Sequence, residues 1–230
     1  MKGIILGVLM VFVFAGAAFA GEFGPPEPLG NVGQFSLGAG AWLDRSRMSL
    51  DGDRLGDRSA QYYLQGDYTF VKDWEVYGRL GSADQRLYSH DLQQRFIDGG
   101  EAFGTLGFKG VFFRQGNFAF GPFIEGSMYG DHSGVSTNQW DANAGISAQY
   151  RIPVGGTSLT VYGGPFAYVH RADADFVDSA VAGSSSMSER NNVGGFLGVR
   201  VPVVQQKLFL TVEAQMRDRL STGASVNYAF

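Results

Sequence analysis

The sequence predicts an all-β protein: a closed antiparallel β-barrel that spans a membrane, with ten strands (eight as the alternative) in an up-and-down meander. Three observations predict it. Residues 140–152 alternate strictly, with Trp140, Ala142, Ala144, Ile146, Ala148, Tyr150 and Ile152 on one face and Asp141, Asn143, Ser147, Gln149 and Arg151 on the other. Period two marks a strand with one apolar face. At ~3.3 Å per residue and a tilt of about 40° it rises roughly 30 Å, enough to cross an apolar band of about 25 Å. Second, mean hydropathy is near zero and no later segment approaches a spanning helix, although 14% of residues are aromatic and 34 are glycine. Lipid-facing alternation gives this composition, because half of each strand points into a polar lumen. Third, the chain ends Val226-Asn227-Tyr228-Ala229-Phe230, apolar at every second position where a soluble domain would fray.

The same parity test places each strand in order. Phe35, Leu37, Ala39, Ala41 and Leu43 face out on the first strand, Tyr62, Leu64, Tyr68 and Phe70 on the second, and Trp74, Val76 and Leu80 on the third. Ala102, Leu106, Phe108 and Phe112 mark the fourth, Phe118, Phe120, Ile124 and Met128 the fifth, and the Trp140 segment is the sixth. Leu159, Val161, Ala167 and Val169 mark the seventh, and Val193, Leu197, Val199 and Val201 the eighth. Leu208, Leu210, Val212, Ala214 and Met216 mark the ninth, leaving 222–230 as the tenth. Gly121-Pro122-Phe123 and Gly164-Pro165-Phe166 put proline inside two of these strands, where a bulge or bend is expected because proline cannot donate to the ladder.

Tight turns at 71–73, 114–116, 153–156 and 204–206 alternate with polar loops at 44–60, 84–99, 130–138 and 171–191; only the last loop, 218–221, is short. Short turns on the periplasmic side and long loops outside put both ends of the barrel on one side and require an even strand count. Aromatics then form girdles: Phe70, Trp74, Phe112, Phe118, Tyr150, Tyr228 and Phe230 near one end, Tyr62 and Trp140 near the other.

Ahead of the barrel, Met1-Lys2, an apolar run over 4–14 and Ala18-Phe19-Ala20 read as a signal peptide cleaved after Ala20. The run is shorter than the ~20 residues a spanning helix needs. Three regions follow: a leader over 1–20, a short periplasmic segment over 21–30, and the barrel over 31–230. Without cysteine there is no disulfide, lipid anchor or thiolate metal site. With Lys2 removed, 17 basic residues face 22 acidic ones, which argues against a nucleic-acid partner.

Inward parity falls on Asp67, Glu75, Arg79, Glu101, Lys109, Glu125, Asp141, Arg151, Arg200, Glu213 and Arg217, six acids against five bases. Of these, Asp67, Arg79, Lys109, Arg151, Arg200 and Glu213 fall together in the lower half and are the candidate lumen charge network. Buried charges persist only when paired and hydrogen-bonded. Inward rings (Tyr63, Tyr77, Phe103, Phe123, Tyr162, Phe166, Tyr168, Phe196 and Phe209) favour a lumen filled by side chains over a wide pore. A charged constriction in a narrow channel is the alternative.

On these residues the chain resembles the small bacterial outer-membrane β-barrels, the family of opacity-type surface antigens and the OmpA-like transmembrane domain, whose members usually have eight strands. The resemblance implies a bacterial outer-membrane location, contact with lipid and lipopolysaccharide, and reading of the Tyr228 and Phe230 terminus by the barrel assembly machinery. It is specific to architecture, not to one activity. A structural or surface-interaction role through the outer loops is the leading expectation, a narrow solute channel the second, and a rim hydrolase a distant third. Omptin-type proteases use Asp-Asp and Asp-His pairs near the outer rim. Here His90-Asp91 and Asp131-His132 lie in loops, and neighbours on an extended chain point apart. Lipid-modifying barrels aim Ser and His into the bilayer, whereas His170 points inward by parity. Asp51-x-Asp53 and Asp173-x-Asp175-x-x-Asp178 lack the spacing of a calcium loop. Pairing of Arg45, Arg47, Arg54 and Arg58 with lipopolysaccharide phosphates accounts better for the charged loops. No catalytic residue, metal or cofactor is expected, and a monomer is the expected state.

Overall fold

The computed structural model describes residues 21–50, 53–89, 95–131, 136–174, 186–189, 192–204 and 207–230. The expected leader, His90-Asp91, His132, Asp51, Asp175 and Asp178 lie outside them. Strands β1 (Phe35–Leu50), β2 (Asp53–Val71), β3 (Trp74–Ser89), β4 (Arg95–Gly110), β5 (Phe113–Gln115), β6 (Phe118–Tyr129), β7 (Ser136–Val154), β8 (Thr157–Ala174), β9 (Ser186–Glu189), β10 (Val193–Val204), β11 (Leu208–Met216) and β12 (Leu220–Ala229) form one antiparallel sheet. β5 resumes the line of β4 along β6, and β9 sits between β8 and β1. The remaining ten staves pair in chain order and close on themselves, as the sequence predicts. The seam joins β1 to β12 from Ser36↔Ala229 to Leu43↔Thr222, and Phe230 N donates to Phe35 O at 3.2 Å.

Two expected loops prove to be mostly strand. β1 and β2 stay in register from Phe35↔Tyr68 up to Leu50↔Asp53, so 44–50 and 53–60 are the upper parts of two long paired strands, and β3 likewise runs on to Ser89. Alternation continued through these polar stretches, but with polar residues on both faces it left no apolar stripe to detect.

Parity governs the wall. Leu64, Leu80, Leu106, Phe112 and Met128 are exposed on the outside, while Tyr63, Tyr77, Phe103, Phe123, Tyr162 and Phe166 are buried within. Stacked pairs Phe35–Tyr68 and Trp74–Phe108 belong to the girdle at the turn end. The prolines act on the ladder in different ways. Pro122 keeps register with Ile146 of β7, and the break falls opposite it, between β4 and β5. At Pro165 the β7 ladder runs from Gly145↔Phe166 to Ala148↔Gly163 with the pairs between them missing, while Gly195↔Pro165 holds on the β10 side.

Several inward rings lie flat on glycines of a neighbouring strand. Tyr77 covers its partner Gly107, where a Cβ would stand 2.1 Å from the ring, and Trp42 covers Gly223, where it would stand 2.0 Å away. These contacts keep rings against the wall and leave the axis free for something else.

That something is the N-terminal segment, which corrects the periplasmic placement expected for 21–30. Glu22, Phe23 and Glu27 are 6%, 1% and 7% exposed, and Gly24 to Pro26 are buried with them. From Gly30, where Thr69 Oγ1 donates to the carbonyl at 3.2 Å, the chain turns through 31–34 into β1 at the turn end. Running backwards, residues 29 to 21 climb inside the barrel.

Candidate functional site

The lumen binds this segment at three levels. Near the turn end the Glu27 carboxylate takes Arg114 Nη1 at 2.7 Å, Arg151 and Gln149, and Arg200 Nη1 donates to its carbonyl at 3.4 Å. Leu29 N donates to Glu75 Oε2 at 3.3 Å, while Glu75 Oε1 pairs with Lys109 Nζ at 3.3 Å. Arg114 and Arg151 are half exposed, so this level is where water meets the occupant.

At the middle level the Phe23 ring sits among Phe123, Phe166 and Phe196, with centroids 4.3, 4.9 and 5.1 Å away. Tyr162 and Tyr168 complete the cluster. Glu213 accepts two successive backbone amides, Phe23 N at 3.1 Å and Gly24 N at 2.9 Å. Lys109 Nζ donates to Phe23 O at 2.9 Å, and Ser147 Oγ to Gly24 O at 3.1 Å. Gly24 has φ +73°, the left-handed region that favours glycine, and a Cβ there would lie 2.8 Å from Lys109 Nζ. The buried peptide backbone at Phe23 and Gly24 is thereby satisfied by side chains of the wall, as burial demands.

The third level holds the top of the segment. Arg79 donates to Glu22 O and pairs with Glu125 Oε2 at 3.1 Å, while Tyr77 OH donates to the same oxygen at 2.8 Å. Its guanidinium lies 4.8 Å from the Tyr77 ring and 5.3 Å from that of Tyr63. Ser225 Oγ donates to Glu22 Oε2 at 2.7 Å and Gln215 Nε2 to Gly21 O at 2.9 Å. Above, Tyr129 OH donates to Asp141 Oδ2 at 2.7 Å beside a cavity of about 10 Å³, roughly one water. His170 lines this cavity, buried and inward, with Nε2 3.5 Å from Gln139 Nε2.

All six residues of the candidate network therefore face the lumen, but among the described contacts no two of them pair with each other. Arg79 goes to Glu125, Lys109 to Glu75, and Arg151 and Arg200 to Glu27. Glu213 caps the segment's amides, and Asp67 accepts from Ser36 Oγ at 2.9 Å and Gln65 Nε2 at 2.6 Å. Sequence reasoning missed Glu22, Phe23 and Glu27, although a phenylalanine and two acids flanking Pro25-Pro26 were a usable signal. It also passed over Trp42, which has inward parity but sits beside an apolar stripe that drew attention away. Tyr228 and Phe230 project outward at the seam, their rings 5.1 Å apart.

Fold and lumen together define a transmembrane-type β-barrel whose polar interior is occupied by its own chain. In structure it is similar to the translocator domain of the autotransporter NalP from Neisseria meningitidis, at 13% identity over 100% of this chain and 96% of that one, with a TM-score of 0.47. The transport unit of the autotransporter AIDA-I from Escherichia coli gives 12% identity, 97% of each chain and a TM-score of 0.49. The outer membrane protein OprG from Pseudomonas aeruginosa gives 11% identity, 89% of this chain, 99% of that one and a TM-score of 0.37. No family model and no curated protein matches the chain.

Proposed function

We propose that this protein is an integral barrel of the bacterial outer membrane, held shut by its own N-terminal segment, with a structural or surface-interaction role at its loop end. Phe23 carries the reading: a ring 1% exposed in the middle of the lumen, with its own N–H and C=O bonded to the wall, leaves no aqueous path beside it. The apolar exterior and girdles support a lipid surround, because a protein in water would bury Leu80 and Met128 rather than expose them. The exposed Tyr228 and Phe230 support a terminus read during assembly. His170, turned inward toward Gln139, supports a non-enzymatic role. Purified protein in planar bilayers is expected to show no steady conductance at modest voltage; stable unitary openings of the intact chain would overturn the closed reading.

A gated narrow channel is the second reading. The bonds to residues 21–29 are all non-covalent, and the segment joins the wall only through 30–34. Deleting 21–29 is expected to produce discrete openings, and their absence would remove the channel reading.

A further inference from the structure

We propose that the turn-end mouth of the lumen is a binding site for a small organic carboxylate, which enters the arginine clamp in place of Glu27 and loosens the segment. This rests on the closed-barrel reading and deepens it by naming the class of ligand that competes with the plug. The strand register builds the site. Arg114 of β5, Ala119 of β6 and Gln149 of β7 stand in one row, with Arg151 at the next inward position along β7. Two strand spacings of ~4.8 Å put Arg114 and Gln149 about 10 Å apart. Ala119, buried between them, fills little of that gap. The Glu27 carboxylate bridges it: Oε1 takes Arg114 Nη1 at 2.7 Å, and Oε2 takes Arg151 and Gln149. Donors on both sides, each side holding one oxygen, match a flat two-oxygen group.

Vacating the clamp is costly unless another anion fills it. Among the described contacts Glu27 is the only carboxylate paired with Arg151, and Arg114 keeps only Asp73. Buried Arg200 donates only to Glu27 O, and its Nε has no partner. Cations that lose their partner in an interior are strongly destabilising. A carboxylate that binds the emptied clamp therefore shifts the balance from seated to released segment by mass action. Arg114 and Arg151 are half exposed, so a solute entering from the turn end reaches them before it meets Phe23. Asp73, already seated on Arg114, opposes the second charge of a phosphate and favours a monocarboxylate.

The test uses the barrel over 21–230 folded in detergent and carrying Ser147→Cys, whose labelling by a water-soluble maleimide reports release because Ser147 Oγ bonds Gly24 O at 3.1 Å. Propionate, the free counterpart of the Glu27 side chain, is compared with sodium chloride at equal ionic strength, with neutral propionamide and with inorganic phosphate. Heat-modified gel mobility checks folding. Propionate is expected to speed labelling in a saturable way toward the rate of Glu27→Ala, about tenfold above the parent, while chloride and propionamide change it less than about twofold. Glu27→Ala itself should not respond. Ala119→Leu keeps every charge but fills the gap, and Arg151→Gln removes one arm; both should label fast and lose the response, whereas Lys72→Gln at the turn end should respond as the parent does. Equal acceleration by chloride or phosphate, or a parental response in Ala119→Leu or Arg151→Gln, would overturn the site. Labelling of the parent without any carboxylate as fast as in urea would instead overturn the closed reading.

Discussion

Replacing Phe23 with alanine is the most direct perturbation of the closed barrel. The ring is 1% exposed and lies within 5.1 Å, centroid to centroid, of three other rings. Phe→Ala in a packed interior costs about 3–5 kcal/mol, and the low end applies if the surrounding rings collapse into the space. The loss falls almost wholly on the seated state, since outside the lumen residue 23 is in water with either side chain. About 3 kcal/mol at 1.4 kcal/mol per decade lowers the ratio of seated to released segment roughly a hundredfold. The chain has no cysteine, so Ser147→Cys provides a clean reporter, placed where Ser147 Oγ now bonds Gly24 O at 3.1 Å. Its labelling by a water-soluble maleimide should accelerate about a hundredfold when Phe23→Ala is added, and Phe23→Leu should fall between the two. Equal labelling rates with and without the Phe23→Ala substitution would refute the claim that this ring holds the segment in place.

Other consequences of the geometry are testable in the same preparations. Arg79→Met strands Glu125 in the interior and should cost about 3–5 kcal/mol in urea unfolding from detergent, while adding Glu125→Leu should recover most of it; a double variant worse than the single would contradict the pairing. Gly107→Leu drives a side chain into the Tyr77 ring and should destabilise by about 1–3 kcal/mol, with partial relief from Tyr77→Ala. Deleting Phe230 removes an exposed ring and one hydrogen bond to Phe35, so stability after refolding should change by no more than about 1 kcal/mol. Delivery to the outer membrane of cells should nevertheless fall sharply; normal delivery would show that the terminus is not read during assembly.

The wall was legible because lipid on one side and a polar lumen on the other impose period two on every stave, as from Trp140 to Ile152. The hairpin tops were less so: above the apolar stripe, Arg45 and Arg58 alternate with Asp44 and Ser59, and polarity no longer distinguishes the faces. Parity put each lumen charge on the correct side but could not choose its partner. Glu125 rather than Asp67 or Glu213 meets Arg79 because strand stagger sets height, and stagger is absent from a one-dimensional pattern. The occupant was hidden for another reason. Residues 21–29 have no secondary structure, and their fit depends on rings from β6, β8 and β10 that converge only after closure.

Glycine beneath inward rings such as Tyr77 and Trp42 has a consequence for how this barrel tolerates change. Gly107 and Gly223 lie under rings and supply no bond to the segment, yet each sets how far a ring leans toward the axis. Adding bulk there would narrow the bore from the wall inward, evicting the resident peptide without altering one of its binding groups. Leakiness in such a cylinder can thus arise from positions that no inspection of the plug itself would flag.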